Sequence, residues 1–193
     1  MKEGMFMRVF MAIDFSEEIK DYISNVQENV KTATKKGNFV PKDNFHITLH
    51  FIGEVGRNEI DGLCTALYSG ASQNKEFTIK LDELGTFNKG NSSILWMGIE
   101  ECKPLFRLYN SLSKSLSREG YSTGRQGLKP HITLGREVEF YNNFKNLRGK
   151  FPVEHKEFKV EKITLMESVR KGPKLIYKPL FSAELKKISK NLT

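Results

Sequence analysis

Cysteine is scarce in this chain: Cys64 and Cys102 are the only two in 193 residues. Two thiols build no disulfide framework, and no C-x-x-C spacing marks zinc or redox chemistry. No window approaches eighteen consecutive apolar residues, which argues against a membrane span. G-x-G-x-x-G, G-x-x-x-x-G-K-[ST] and G-x-S-x-G are all missing, so nucleotide-fold and hydrolase-elbow readings have no local support. The opening MKEGMFMRVFMAID holds a short apolar run but neither a basic leader nor a small-residue cleavage site, and it reads as a buried strand. A cytoplasmic location with both thiols reduced is the expectation.

What is present suffices for a core. Fourteen Phe spread over the length argue against disorder, and 38% hydrophobic residues allow burial without metal or disulfide staples. Basic side chains outnumber acidic ones, 31 to 23, for a net charge of +8. That balance is compatible with a polyanionic partner, because clustered Lys and Arg gain affinity for phosphates through counterion release. The excess is diffuse, apart from 171–174 and Lys186, Lys187 and Lys190. Without long low-complexity or coiled-coil segments, a monomer is the simplest expectation.

Apolar spacing predicts alternating helices and strands. A strand over 8–14 leads to a helix with Ile19, Tyr22, Ile23, Val26 and Val30 on one face, opened by an Asp14/Glu17 capping box. A strand over 44–52 alternates Phe45, Ile47, Leu49 and Phe51 with Asn44, His46, Thr48 and His50. A helix follows, with Ile60, Leu63, Cys64, Leu67 and Tyr68 facing the core, then strands near 77–84 and 93–100. Pro104 suits the first turn of a helix carrying Leu105, Leu108, Tyr109, Leu112 and Leu116, and Gly120 is placed to end it. A strand over 130–136, a weak helix near 140–147, one long bulged strand over 158–169 and a last strand over 175–185 complete the reading. This order favours an α+β fold with largely antiparallel sheets.

The most informative feature is a repeated word: His46-Ile47-Thr48-Leu49 and His131-Ile132-Thr133-Leu134, 85 residues apart. Residues i and i+2 of a strand project to one face, so each copy presents an imidazole and a hydroxyl beside an apolar anchoring face. Two similar lobes facing each other bring the two pairs to opposite sides of one cleft. Phosphodiester hydrolysis or transesterification needs one group to take a proton from the attacking oxygen and another to give one to the leaving oxygen. Imidazole, with a pKa near ~6.5, serves both roles. The Thr hydroxyls would donate to non-bridging phosphate oxygens, where charge grows in the transition state. No metal or other cofactor is required. Zinc fits less well: His46 and His50 share a strand face, but His155 and the cysteines show no ligand spacing near them.

These motifs resemble those of the two-histidine phosphoesterase superfamily, specifically the LigT-like RNA 2′,3′-cyclic phosphodiesterases, also called 2′-5′ RNA ligases. Arg8-Val9-Phe10-Met11-Ala12-Ile13 resembles the family's opening strand, and Phe51-Ile52-Gly53 after the first motif, Trp96-x-Gly98 and Leu105-x-x-Leu108 extend the likeness. Pro130 to Arg136 resembles the second motif, and the stretch from Ser168 to Tyr177, with Gly172-Pro173, the closing hairpin. Leu128-Lys129 stands where the family often has an aromatic residue two positions before the second His. The resemblance implies one two-lobed domain over 1–193, with pseudo-symmetric antiparallel sheets flanking a central cleft and helices outside. It implies RNA 3′ ends bearing 2′,3′-cyclic phosphate as partners, tRNA fragments and nucleotides among the candidates. By that analogy His46 protonates the leaving 3′ oxygen, His131 activates the attacking water, and Thr48 and Thr133 hold the phosphate, leaving a 2′-phosphate.

Arg136 has the opposite strand parity to His131 and Thr133, so a phosphate-binding role for it requires a bulge or strand end, to which Gly135 could contribute. Phe45 falls on the greasy face and is expected in the core. His50 and His155 are expected to be structural or surface residues. Rival readings are 2′-5′ ligation by the reverse reaction, a small-molecule cyclic phosphodiesterase, and a non-catalytic module that binds RNA ends.

Overall fold

A computed structural model describes residues 6–122 and 127–188; Lys190 lies outside the described residues. In β1 (Phe6–Asp14), Val9, Met11 and Ile13 point into the main core while Arg8, Phe10 and Ala12 share the opposite face. α1 (Glu17–Lys31) is capped by Ser16, whose Oγ accepts the Ile19 N–H at 3.5 Å. The expected cap, Asp14, instead accepts from the Phe15 N–H and pairs with Lys20. β2 (Thr34–Phe39) was not anticipated from the sequence, because Thr-Lys-Lys-Gly-Asn-Phe has almost no apolar alternation.

The remaining elements are β3 (His46–Gly56), α2 (Ile60–Ala71), β4 (Phe77–Lys89), β5 (Ser92–Ile99), α3 (Lys103–Arg118) and β6 (His131–Phe140), then α4 (Phe144–Leu147), β7 (Glu157–Val160), β8 (Lys162–Lys171) and β9 (Lys174–Glu184). Pro104 sits in the first turn of α3, and Gly120 follows its end with φ +84°. Tyr68, expected in the core, is exposed on α2, and Cys64 is only partly buried. Among the described residues no helix is long and apolar enough to cross a membrane.

All strand pairs are antiparallel, in the order β7-β4-β5-β6-β3-β1-β8-β9, with β2 also on β6. The two halves are thus β3-β1-β8-β9 and β6-β5-β4-β7. Along the chain a strand, a helix and an H-x-T-x strand recur, β1-α1-β3 and β5-α3-β6, but each helix packs on the other half: Gln27 of α1 donates to the Leu134 carbonyl of β6, and Tyr109 of α3 stacks on His50 of β3. β4 then crosses to the second half and β8 to the first, so each unit completes the other's sheet. That crossing explains why 158–169 is two strands rather than one bulged strand: β7 pairs with β4 and β8 with β1. The halves join where Ile47 pairs with Ile132, the central residues of the two motifs. Both side chains are fully buried, each contributing about 1.5–3 kcal/mol.

Register shifts determine which side chains face the cleft. On β3, Met11 lies opposite His50 and Ala12 opposite Thr48, so Leu49 is an extra residue; Leu49 and His50 are both buried and Phe51 emerges on the motif face. On β6, Gly135 lies opposite Leu95 and Thr133 opposite Trp96, so Leu134 is the extra residue, and Arg136 emerges likewise. The alternation therefore misplaced His50 and Phe51. His50 packs under α3, its ring stacked on Tyr109 at 4.4 Å, with Nε2 3.2 Å from the Tyr109 carbonyl and 3.1 Å from Ser113 Oγ.

Burial lowers the pKa of His50, against the opposing pull of the Tyr109 carbonyl. A histidine whose folded pKa lies below its unfolded value near ~6.5 stabilises the fold above that value, and this is lost as pH falls towards the folded pKa. Thermal unfolding midpoints should therefore drop between pH 7.5 and 5.5. His50→Gln should start lower and fall less steeply over that interval; parallel curves for the two proteins would refute this.

Candidate active site

His46 and His131 begin their strands on the concave face, on either side of the Ile47–Ile132 pair. Antiparallel pairing at that point sets His46 across from Thr133 and His131 across from Thr48. Each ring is held the same way: Nδ1 lies 2.7 Å from the carbonyl two residues back, that of Asn44 for His46 and of Lys129 for His131. A carbonyl only accepts, so both Nδ1 atoms carry hydrogen and both neutral rings keep their lone pair at Nε2. Nε2 of His46 is 3.0 Å from Thr48 Oγ1.

The surroundings of the two rings differ. His46 is packed by Phe10 (centroids 4.9 Å) and edge-on by Tyr177 (5.0 Å, 87°). Phe10, Ala12 and Met166, with Tyr177 against them, form a small apolar cluster on the concave face. Burial lowers the His46 pKa; the Asn44 carbonyl and Asp14 pull it up, and His131 and Arg136 push it further down. His131 is more open and meets the edge of Phe87 at 5.4 Å. Phe87 in turn touches Trp96, whose indole lies over Gly85, where a Cβ would fall 2.1 Å from the ring. Trp96 and Gly98 stand opposite Thr133 and His131 on β5, so the Trp96-x-Gly98 word floors the second half of the cleft.

Asn44 was seen in the sequence only as a strand residue. Its buried amide donates to the Leu175 carbonyl at 2.7 Å and accepts from the Tyr177 N–H at 3.3 Å. It thus ties the start of β3 to the edge of β9 and brings Tyr177 onto His46. Sheet coiling makes this contact, folding the diagonal corners of the first half together over the concave face. No local signal points to it.

Arg136 faces the cleft after the Leu134 bulge, near enough for its charge to act on His46 and to lower the pKa of Tyr177 against burial, the larger influence. Glu137 follows in a left-handed conformation, φ +53°, and accepts from Asn38 Nδ2. Phe45 is core. His155 is exposed, 2.8 Å from Glu100. Among the described residues no three His, Cys, Asp or Glu converge as metal ligands would.

A coiled antiparallel sheet with two inward imidazole–hydroxyl pairs about a pseudo-twofold axis defines the two-histidine class of phosphoesterase. Residues 13–96 match the LigT like Phosphoesterase model. An RNA 2′,3′-cyclic phosphodiesterase of Methanocaldococcus jannaschii is 33% identical over 167 residues, 84% of this chain and 91% of that one. One from Thermotoga maritima is 28% identical, covering 92% and 95%. The crystal structure of Escherichia coli LigT complexed with 3′-AMP superposes with a TM-score of 0.77 at 27% identity, covering 93% and 98%. This chain belongs to the LigT-like phosphoesterase family.

Proposed function

We propose that this protein opens 2′,3′-cyclic phosphates at RNA 3′ ends to 2′-phosphates without a metal, using His46 and His131 as the proton-transfer pair. The observation that carries this is the matched Nδ1–H to carbonyl bonding, which turns both Nε2 lone pairs away from the backbone on either side of one pseudo-twofold axis, that of His46 against the Thr48 hydroxyl. The relatives named RNA 2′,3′-cyclic phosphodiesterase supply the substrate class, and the LigT complex with 3′-AMP supports a nucleotide in the cleft.

In this reading His131 Nε2 takes a proton from water as the water oxygen attacks phosphorus. The bond from phosphorus to O3′ breaks in line, and His46 Nε2–H protonates O3′. Burial favours neutral His46, with the Thr48 hydroxyl donating to Nε2. An arriving anionic phosphodiester stabilises the imidazolium. Nε2 then carries the proton to be delivered, and the Thr48 hydroxyl turns to a non-bridging oxygen, as does that of Thr133. Arg136 adds a guanidinium fork to the same charge. The two imidazoles cover both proton transfers, so no step calls for a Lewis acid.

The test is hydrolysis of a short RNA ending in a 2′,3′-cyclic phosphate with EDTA present. A 2′-phosphate product at an undiminished rate is expected. Loss of turnover with EDTA, or a 3′-phosphate product, would overturn the reading.

A further inference from the structure

Half of the chain's net charge of +8 sits on one helix: α3 carries Lys103, Arg107, Lys114 and Arg118 and no acidic residue. Along the sequence these cations look scattered, but at 3.6 residues per turn they fall within a ~60° arc and form one stripe ~22 Å long. All four are exposed. Leu105, Leu108, Leu112 and Leu116 take the opposite face of the helix into the main core, and Tyr109 stacks on His50 of β3. The stripe therefore looks outward from the convex side of the sheet, away from the cleft.

Nothing in the helix or around it neutralises this face. None of the four cations makes an ion pair with a described residue. Lys103 and Arg107, and likewise Lys114 and Arg118, are like charges at i,i+4, which repel. Lys103 stands in the first turn, where the helix dipole disfavours a cation, and only Arg118 in the last turn is favoured by it. Glu101 precedes the helix, and Glu119 beyond it turns its carboxylate towards Gly62 of α2. By contrast α1 mixes Glu17, Glu18, Asp21 and Glu28 with Lys20 and Lys31. A stripe that opposes its own helix and finds no partner inside the protein is completed by an anion from outside.

The chemistry of the stripe selects that partner. A row of ammonium and guanidinium groups binds phosphates without reading bases. Exposed Asn110 and Ser117 lie beside it and can donate to phosphate oxygens as well. No large exposed apolar side chain lies on α3, so the face has neither a ring on which bases stack nor a wedge for a lipid interface.

We infer that the outer face of α3 is a second RNA contact, which holds the phosphate backbone of a folded substrate at a distance from the end that is opened. The choice of RNA among polyanions rests on the proposed cyclic-phosphate chemistry, and the contact extends that reading to substrate size. A sheet layer and a helix, roughly 15–20 Å, separate the stripe from the two histidines. A mononucleotide cannot touch both, whereas an RNA hairpin can.

The experiment replaces the four cations together, Lys103→Gln, Arg107→Gln, Lys114→Gln and Arg118→Gln, all outside the cleft. Binding of a ~24-nucleotide RNA hairpin with a 3′-hydroxyl is followed by fluorescence anisotropy from ~50 to ~200 mM salt. The slope of log affinity against log salt should shrink by about 3 to 4, and the hairpin should bind roughly 10- to 100-fold more weakly at ~100 mM. For the same hairpin ending in a 2′,3′-cyclic phosphate, KM should rise in step with kcat unchanged, while kcat/KM for adenosine 2′,3′-cyclic monophosphate stays within about twofold. Lys103→Arg combined with Lys114→Arg should bind as the unmodified protein does, because charge is what the phosphates meet. Unchanged affinity and slope overturn the inference. So does an equal loss on the mononucleotide, which traces the effect to the cleft or the fold. Capture by phosphatidylserine vesicles that the four substitutions abolish, with hairpin binding intact, assigns the face to a membrane and overturns it too. If neither protein opens either cyclic phosphate, the proposed function fails, and hairpin anisotropy still decides on the stripe.

Discussion

Replacing either motif histidine by alanine is expected to slow opening of a 2′,3′-cyclic phosphate by ~10²- to 10⁴-fold, the range typical of one general acid or base. The double replacement should cost little more than the worse single one, because both protons move in one displacement and such residues act as a unit. A packing explanation must be separated from a chemical one, since His46 lies between Phe10 and Tyr177. His46→Asn provides the control: it keeps an N–H able to reach the Asn44 carbonyl and fills part of the space, yet has no titrating nitrogen. Its melting temperature should stay near that of the unmodified protein while turnover remains as low as in His46→Ala. Multiplying effects in the double variant, or turnover restored by Asn, would show that the rings do not divide the two proton transfers.

Arg136→Ala should lower kcat/KM by ~10²- to 10³-fold, the loss seen when one preorganised donor to developing phosphate or oxyanion charge is removed. Arg136→Lys should recover part of this, because the charge remains while the planar fork is lost. The effect on pH dependence is more diagnostic. Arg136 helps to hold down the His46 pKa, so its removal raises that pKa. The limb of the kcat/KM profile that reports the free-enzyme pKa of His46 should therefore move upward in Arg136→Ala. A change under threefold with unmoved limbs would reduce Arg136 to a surface residue.

Much of this site was legible along the chain. Period-two geometry alone puts His46 with Thr48 and His131 with Thr133 on one face, and the apolar partners Ile47 and Ile132 are the residues that join the halves. Helices with strong apolar faces were equally clear: α3 buries Leu105, Leu108, Leu112 and Leu116 as spaced. Gly135 hinted at the irregularity that turns Arg136 into the cleft. No such hint preceded Phe51, since a bulge at Leu49 has no side-chain signature and simple alternation assigned both His50 and Phe51 to the wrong face.

Tyr177, Phe10 and Asn44 were unreadable as site residues for a different reason. Their meeting with His46 requires β9 to fold across the concave face, a contact between segments far apart in the chain. The split of 158–169 between two half-sheets is likewise a matter of which edges were free to pair. Residue type and a two-residue repeat that every strand obeys place the two imidazole–hydroxyl pairs on one face, and the motifs they form carry the family likeness. Which nitrogen faces the cleft, which ring is buried and which arginine reaches the site are fixed only once distant strands have paired. Those outcomes depend on register shifts and sheet coiling, set by backbone hydrogen bonds and packing between distant strands rather than by neighbours along the chain.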